Sequence, residues 1–150
     1  MDDNKFMMIA LEEARAAAAR DEVPIGAVIV DPAQGTIVAR NGNRTIERAD
    51  PTAHAEILAI RDACRQAGAQ RIPNLDLYVT LEPCAMCTAA ISFARIRRVV
   101  FAAPDPKGGG VLHGGKFFDQ PTCHHKPDVL SGAMADDSST LLKKFFKKKR

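Results

Sequence analysis

Apolar positions along this chain follow two periods in turn, and the changes between them mark out alternating helices and strands. Phe6 to about Arg20 is alanine-rich and free of glycine and proline, with Asp2 or Asp3 available as N-cap, and predicts a helix. Ile25-Gly26-Ala27-Val28-Ile29-Val30 is a nearly continuous apolar run, the pattern of a strand buried on both faces. Asp31-Pro32-Ala33-Gln34-Gly35 reads as a turn, so Thr36 to Arg40 pairs back on the first strand as a hairpin. Asn41 to Pro51 is a polar loop. A helix from His54 to Ala67 stops at Gly68. Leu75 to Thr80 is a third strand, Pro83 to about Ala94 a third helix and Arg97 to Ala102 a fourth strand. Pro104 to Gly115 is a glycine-rich loop, and Thr122 to Pro127 is irregular. Asp128 to Leu130 fits a short strand, and Ser138 to Lys149 fits a final helix with Leu141, Leu142, Phe145 and Phe146 at helical spacing. Alternation of strands with helices predicts an α/β sheet covered by helices.

Length and composition leave this picture unchanged. A chain of 150 residues, 46% hydrophobic and 26% charged, is expected to be one globular domain. No apolar stretch is long enough to cross a membrane, and the acidic start Met1-Asp2-Asp3-Asn4 does not resemble a secretory signal. Four cysteines are too few for a disulfide framework, and Cys64, inside a helical pattern, is expected to be a buried thiol. A reducing, cytoplasmic compartment follows.

Charge adds one feature. The chain is net +3, yet Lys143 to Arg150 holds six basic residues and no acidic one, leaving −3 for the rest. Such a run suits a polyanion such as RNA. It equally suits the solvated face of a C-terminal helix, where cations meet the negative end of the dipole.

The chemistry lies in His54-Ala55-Glu56 and Pro83-Cys84-Ala85-Met86-Cys87. His54, Cys84 and Cys87 are three metal ligands, the number a catalytic zinc site takes when its fourth position is left to water. Glu56 is close enough to serve as proton carrier without ligating, and both motif halves open helices. The second half follows a strand, at the carboxyl edge where α/β sheets hold their ligands. A redox Cys-x-x-Cys would want a thioredoxin-like context instead. The H-x-E…P-C-x-x-C pattern is that of the zinc nucleobase deaminases.

Longer strings extend this match. Glu22-Val23-Pro24-Ile25-Gly26-Ala27-Val28, Gly42-Asn43-Arg44, Pro51 to Glu56, Tyr78 to Cys87 and Asp105-Pro106-Lys107 resemble the bacterial tRNA-specific adenosine deaminases nearly end to end. The resemblance implies a cytidine-deaminase-like three-layer α/β/α sandwich with a five-stranded mixed sheet. It further implies a homodimer, one Zn2+ per chain and a tRNA anticodon stem-loop as partner. By resemblance His54, Cys84 and Cys87 ligate zinc and Glu56 shuttles protons. Asn43 would bond the flipped base, Asp105 the neighbouring sugar, and Lys107, Phe145 and Phe146 would line the anticodon groove. Two departures stand out: Gly108-Gly109-Gly110 looks looser than the family's loop, and Cys123-His124-His125 adds potential ligands for a second metal. Taken alone, Asn43 and Asp105 read equally as turn residues, the two phenylalanines as core, and Arg95, Arg97 and Arg98 as facing RNA, a partner subunit or solvent. A deaminase of free bases or nucleosides would share the zinc core without needing the basic tail. A silent RNA-binding subunit would be expected to have lost Glu56.

Overall fold

The computed structural model describes residues 2–149; Met1 and Arg150, the last of the basic run, lie outside the described residues. The elements are α1 (Asp3–Ala19), β1 (Gly26–Asp31), β2 (Thr36–Gly42), α2 (Ala55–Ala67), β3 (Asp76–Leu81), α3 (Ala85–Ala94), β4 (Arg98–Ala103), β5 (Asp128–Ser131) and α4 (Ala135–Lys148). A single 3-10 turn, Phe117–Asp119, interrupts the long β4–β5 connection. One mixed sheet runs in the order β2-β1-β3-β4-β5. β1 is antiparallel to both neighbours, while β3, β4 and β5 are parallel.

Side chains alternate across this sheet and build two cores. Ala27, Ile29, Leu77, Val79, Val99 and Phe101 face α2 and α3, where Ala59, Ala63 and Ile91 meet them. Val28, Val30, Tyr78, Val100 and Ala102 point the other way, onto Phe6, Met7 and Ala10 of α1, with Met134 at the start of α4 closing the edge. The central strands are therefore covered on both faces, as their largely apolar sequences require. Two glycines let α1 lie close: a Cβ on Gly26 would stand 1.9 Å from Ala10 O, and one on Gly42 2.6 Å from Glu13 O.

The predicted elements form with shifted edges. β2 continues to Gly42, which brings Asn43 to the end of a strand. α4 begins at Ala135 and not Ser138. Ser138 is its one buried residue among those described, and its Oγ donates to Thr80 O on β3. Cys64 is half-buried, not buried: its Sγ reaches Gln70 O at 3.8 Å across the end of α2. No helix among the described residues is long and apolar enough to cross a membrane.

Candidate metal centre and its walls

Two helix starts make the centre. His54 is the N-cap of α2 and Cys84 the N-cap of α3, both in extended conformation and both without a side-chain capping bond, so their side chains are left to point elsewhere. They point at each other. His54 Nδ1 lies 3.7 Å from Cys84 Sγ and 3.5 Å from Cys87 Sγ, and all three ligand atoms fall within 4.8 Å of one another. A tetrahedral zinc with ordinary Zn–N and Zn–S bonds separates nitrogen from sulfur by about 3.6 Å. The donors are thus already at the spacing zinc would impose, and the soft–borderline N,S,S set suits it. Among the described residues no other group of three such donors comes together.

The Cys87 thiol lies within hydrogen-bonding reach of the Cys84 sulfur. The Cys87 thiol, with His54 adding to the effect, holds Cys84 down to about 4, while Cys87, as the donor in that bond, is pushed up. A bound cation takes both as thiolates. Glu56 follows His54 by two residues in the first turn of α2 and is buried. Burial pushes its carboxyl up to about 7, and Cys87 lies within hydrogen-bonding reach. A carboxyl poised near neutrality can both take and give a proton, which is what a proton carrier needs.

Asn43 supplies the cap that His54 does not. Its Oδ1 accepts from Ala55 N–H at 2.8 Å, fixing the start of α2 from the end of β2. Its amide nitrogen makes no hydrogen bond among the described residues and remains a donor for another molecule. The loop beyond it is tied down by Glu22, 1% exposed, whose carboxylate accepts from Ile46 N–H at 3.1 Å, Glu47 N–H at 2.8 Å and Thr45 Oγ at 3.3 Å. Burial would raise Glu22, but these donors outweigh it and hold its pKa below the usual value.

A second buried glutamate builds the opposite wall. Glu82 Oε1 accepts from Asp105 N–H at 3.0 Å, and Oε2 from Val111, Leu112 and His113 N–H at 3.1, 2.9 and 3.2 Å. His113 Nδ1 sits 2.8 Å from Oε1; against an ionised carboxylate, which only accepts, Nδ1 carries the proton. The triple glycine is consequently not loose. A Cβ on Gly109 would stand 2.2 Å from Glu82 Oε2, and one on Gly110 2.8 Å from Ala85 N. Gly110 N–H donates to Pro83 O at 2.8 Å, fastening the loop to the turn that carries Cys84. Neither glutamate stands out in the sequence, because glutamate is ordinarily a surface residue. The available signal is position, and only for Glu82, which stands between the apolar end of a strand and Pro83.

Asp105 turns its carboxylate inward. Oδ1 accepts from Lys107 and Gly108 N–H at 3.3 and 3.0 Å, the turn geometry that its place before Pro106 suggests. Asp105 and Lys107 line an open groove of about 690 Å³ together with Ile25, Leu81, Lys143 and Phe146. The metal ligands do not line it. Phe145 lies outside this groove, in a separate hollow against Ala18 and Asp21 of the α1 end, so α4 presents its two phenylalanines to different sides. Neither is in the core, and Phe146 is 47% exposed.

The remaining polar candidates are occupied internally. Arg97 grips buried Asp76 at 2.8 and 2.6 Å, Arg98 grips Asp3 at 3.0 and 2.6 Å, and Arg95 Nη1 donates to Ser92 O. His125 Nε2 lies 2.7 Å from Ile96 O, and Cys123 Sγ donates to His125 O, which commits both to holding their own segment.

Residues 1–103 match the family model described as the cytidine and deoxycytidylate deaminase zinc-binding region. A tRNA-specific adenosine deaminase of Agrobacterium fabrum is 61% identical, covering 97% of this chain and 94% of its own. The corresponding protein of Aquifex aeolicus is 43% identical over 100% of this chain and 97% of its own. A solved structure from work on A-to-I editing by tRNA:A34 deaminases at the wobble position superposes with a TM-score of 0.89 at 61% identity, covering 92% of this chain and 99% of that one. A guanine deaminase of Nitrosomonas europaea, 23% identical, shares the fold with a TM-score of 0.78 over 95% of this chain and 83% of its own. With the ligand triad, the buried glutamate and these matches in agreement, the chain belongs to the zinc-binding cytidine and deoxycytidylate deaminase family, among the tRNA-specific adenosine deaminases.

Proposed function

We propose that this chain converts the wobble adenosine of a tRNA anticodon loop to inosine by hydrolysis, releasing ammonia. The carrying observation is the meeting of His54, Cys84 and Cys87 at zinc spacing beside buried Glu56. One zinc per chain would be held by His54 Nδ1 and the two sulfurs; when bound there it supplies the Lewis acidity that brings water to a pKa of about 7. Glu56 would take one proton from the attacking water and give it to the ring nitrogen, then move the second, from the hydroxyl formed on the ring carbon, to the departing amine, so that the carbonyl forms as ammonia leaves.

The rest of the chain receives the nucleic acid. Asn43, its oxygen engaged on α2, offers its NH2 to the base. A base must leave its stack to enter such a pocket, at a cost of a few kcal/mol that an unpaired loop nucleotide minimises. Asp105 meets the adjoining sugar, and Lys107 and Phe146 with Lys143 follow the anticodon strand along the groove. Phe145 supports α4 from the opposite side and meets RNA only beyond the groove's edge. The working unit is a homodimer, for which the 64% exposed Phe93 on α3 offers an apolar contact. The bacterial cytoplasm provides the substrate and keeps the four cysteines reduced.

The test is inosine formation on an anticodon stem-loop carrying a wobble adenosine, run beside ammonia release from guanine, cytidine and adenosine. Inosine in the stem-loop, abolished by Glu56→Ala while zinc and RNA remain bound, is the expected result. Ammonia from a free base without inosine would make the chain a small-molecule deaminase. Tight RNA binding with no product from either substrate class would make it a binding subunit.

A further inference from the structure

Glu82 takes no part in the chemistry above, yet it is the most heavily bonded side chain near the centre. Its side chain is 0% exposed, and it accepts from four backbone N–H groups and one imidazole. All of those donors belong to one segment, Asp105 to His113, and Glu82 itself stands two residues before Cys84. The bonds therefore run from the strand end that carries a metal ligand to the loop that carries Asp105 and Lys107. The cradle is built for a carboxylate. Each oxygen faces only donors, so an amide in its place must aim its NH2 at one group of them. The fit also leaves no room on the loop side, where Gly109 lies against Oε2.

We propose that Glu82 is a positioning residue for substrate: it holds the 105–113 loop in register with the Cys84 helix, and so fixes where Asp105 and Lys107 meet the RNA strand. This rests on the proposed tRNA reading for the identity of the strand, but not for the loop's attachment. In Glu82→Gln the new amide has two orientations open to it. The better one turns its NH2 toward His113, whose ring can exchange its Nδ1 proton for one on Nε2 and accept. That choice leaves Asp105 N–H facing a donor. The Asp105 end of the loop is thus released while the bonds to Val111, Leu112 and His113 N–H persist. Gly109→Ala goes further by another route: the new methyl would stand 2.2 Å from Oε2 and 2.6 Å from Asp105 O, and so pushes the whole loop off the carboxylate, the Asp105 end included.

The experiment compares wild type, Glu82→Gln, Gly109→Ala and the double variant, each confirmed to hold zinc. Steady-state deamination of the anticodon stem-loop is read together with hydrogen exchange of the loop amides. Positioning predicts a rise in KM on the order of tenfold in each single variant, with kcat changed by less than about threefold. It predicts faster exchange at the loop amides, and a double variant hardly worse than Gly109→Ala alone, because that change already breaks the bonds that Glu82→Gln loosens. A residue that merely supports the fold would lower the active fraction, so kcat would fall with KM unmoved. That pattern, or unchanged exchange at Asp105, or additive effects in the double variant, overturns the proposal. Wild-type protein inactive on the stem-loop would overturn the tRNA reading instead, while the exchange data would still judge the attachment.

Discussion

On the proposed reading Asn43 has two tasks, one for each end of its amide, and substitution separates them. Its Oδ1 caps α2 through Ala55 N–H at 2.8 Å, and its NH2 is assigned to the base. Asn43→Ala loses both. Removing the cap strands a buried N–H at the helix start, a cost of about 1–3 kcal/mol. For a domain of this size about 2 kcal/mol lowers Tm by roughly 4–8 °C. Asn43→Asp keeps an oxygen acceptor in place and adds negative charge at a helix N-terminus, which the dipole favours. It removes only the NH2 donor and sets a carboxylate against the base acceptor. Its Tm should stay within about 2 °C of wild type while kcat/KM on the stem-loop falls by at least about tenfold, the loss of roughly 1.4 kcal/mol of transition-state binding. Calorimetry and initial rates on the three proteins decide the matter. Full activity in Asn43→Asp would show that the amide donates nothing to substrate, and an unshifted Tm in Asn43→Ala would show that the cap contributes nothing to stability.

Three further outcomes are expected. Cys87→Ala should lose zinc on metal analysis, and full retention would reject the His54, Cys84, Cys87 ligand set. Replacing Lys143 and Lys147 by glutamine should flatten the log–log salt dependence of stem-loop binding by about 0.7 for each phosphate no longer neutralised, whereas replacing Lys144 and Lys148, which line the Phe145 side, should leave the slope unchanged; wild-type slopes in both pairs would return α4 to simple solvation. Arg98 holds Asp3 below its usual 3.8, so the pair's stabilisation is complete above that pH and is lost as pH falls through the lower folded value. The Tm deficit of Asp3→Asn at neutral pH should accordingly close in acid below 3.8, and a deficit independent of pH would contradict the ion pair.

The sheet is legible in the sequence because its central strands are largely apolar on both faces: the stretches at 25–30 and 77–79 leave few alternatives to burial. Strand order is not, since periodicity states which residues are covered but not by which neighbour; the five-stranded mixed sheet comes from the family resemblance and holds in the structure. The meeting of His54, Cys84 and Cys87 is legible because histidine and cysteine at catalytic spacing have few competing roles. Asn43 reads from sequence either as a base contact or as a turn residue, whereas its side chain reaches forward twelve residues to cap α2. No local pattern announces a bond of that span. Phe145 and Phe146 are adjacent, so on a helix they are set about 100° apart; the stripe that suggests one shared groove splits between two.

The buried glutamates explain why the loops here do not behave as their composition suggests. Ordering a flexible segment on binding costs about 1–2 kcal/mol for each residue's backbone. For the nine residues from Asp105 to His113 that amounts to roughly 9–18 kcal/mol, as large as the whole free energy of a micromolar complex, about 8 kcal/mol. A loop with three consecutive glycines, left unattached, would lose its binding energy to its own ordering. Glu82 meets that cost in the folded protein, where the loop's N–H groups are held by a carboxylate beside Cys84. Glu22 does the same for the loop after Asn43. The glycines are then needed for closeness and not for freedom: Gly109 allows the chain to approach Oε2, and Gly110 allows it to approach the start of α3. Each wall of the site is thus rigid for the same reason, a carboxylate buried among backbone donors, and the substrate meets walls that were ordered before it arrived.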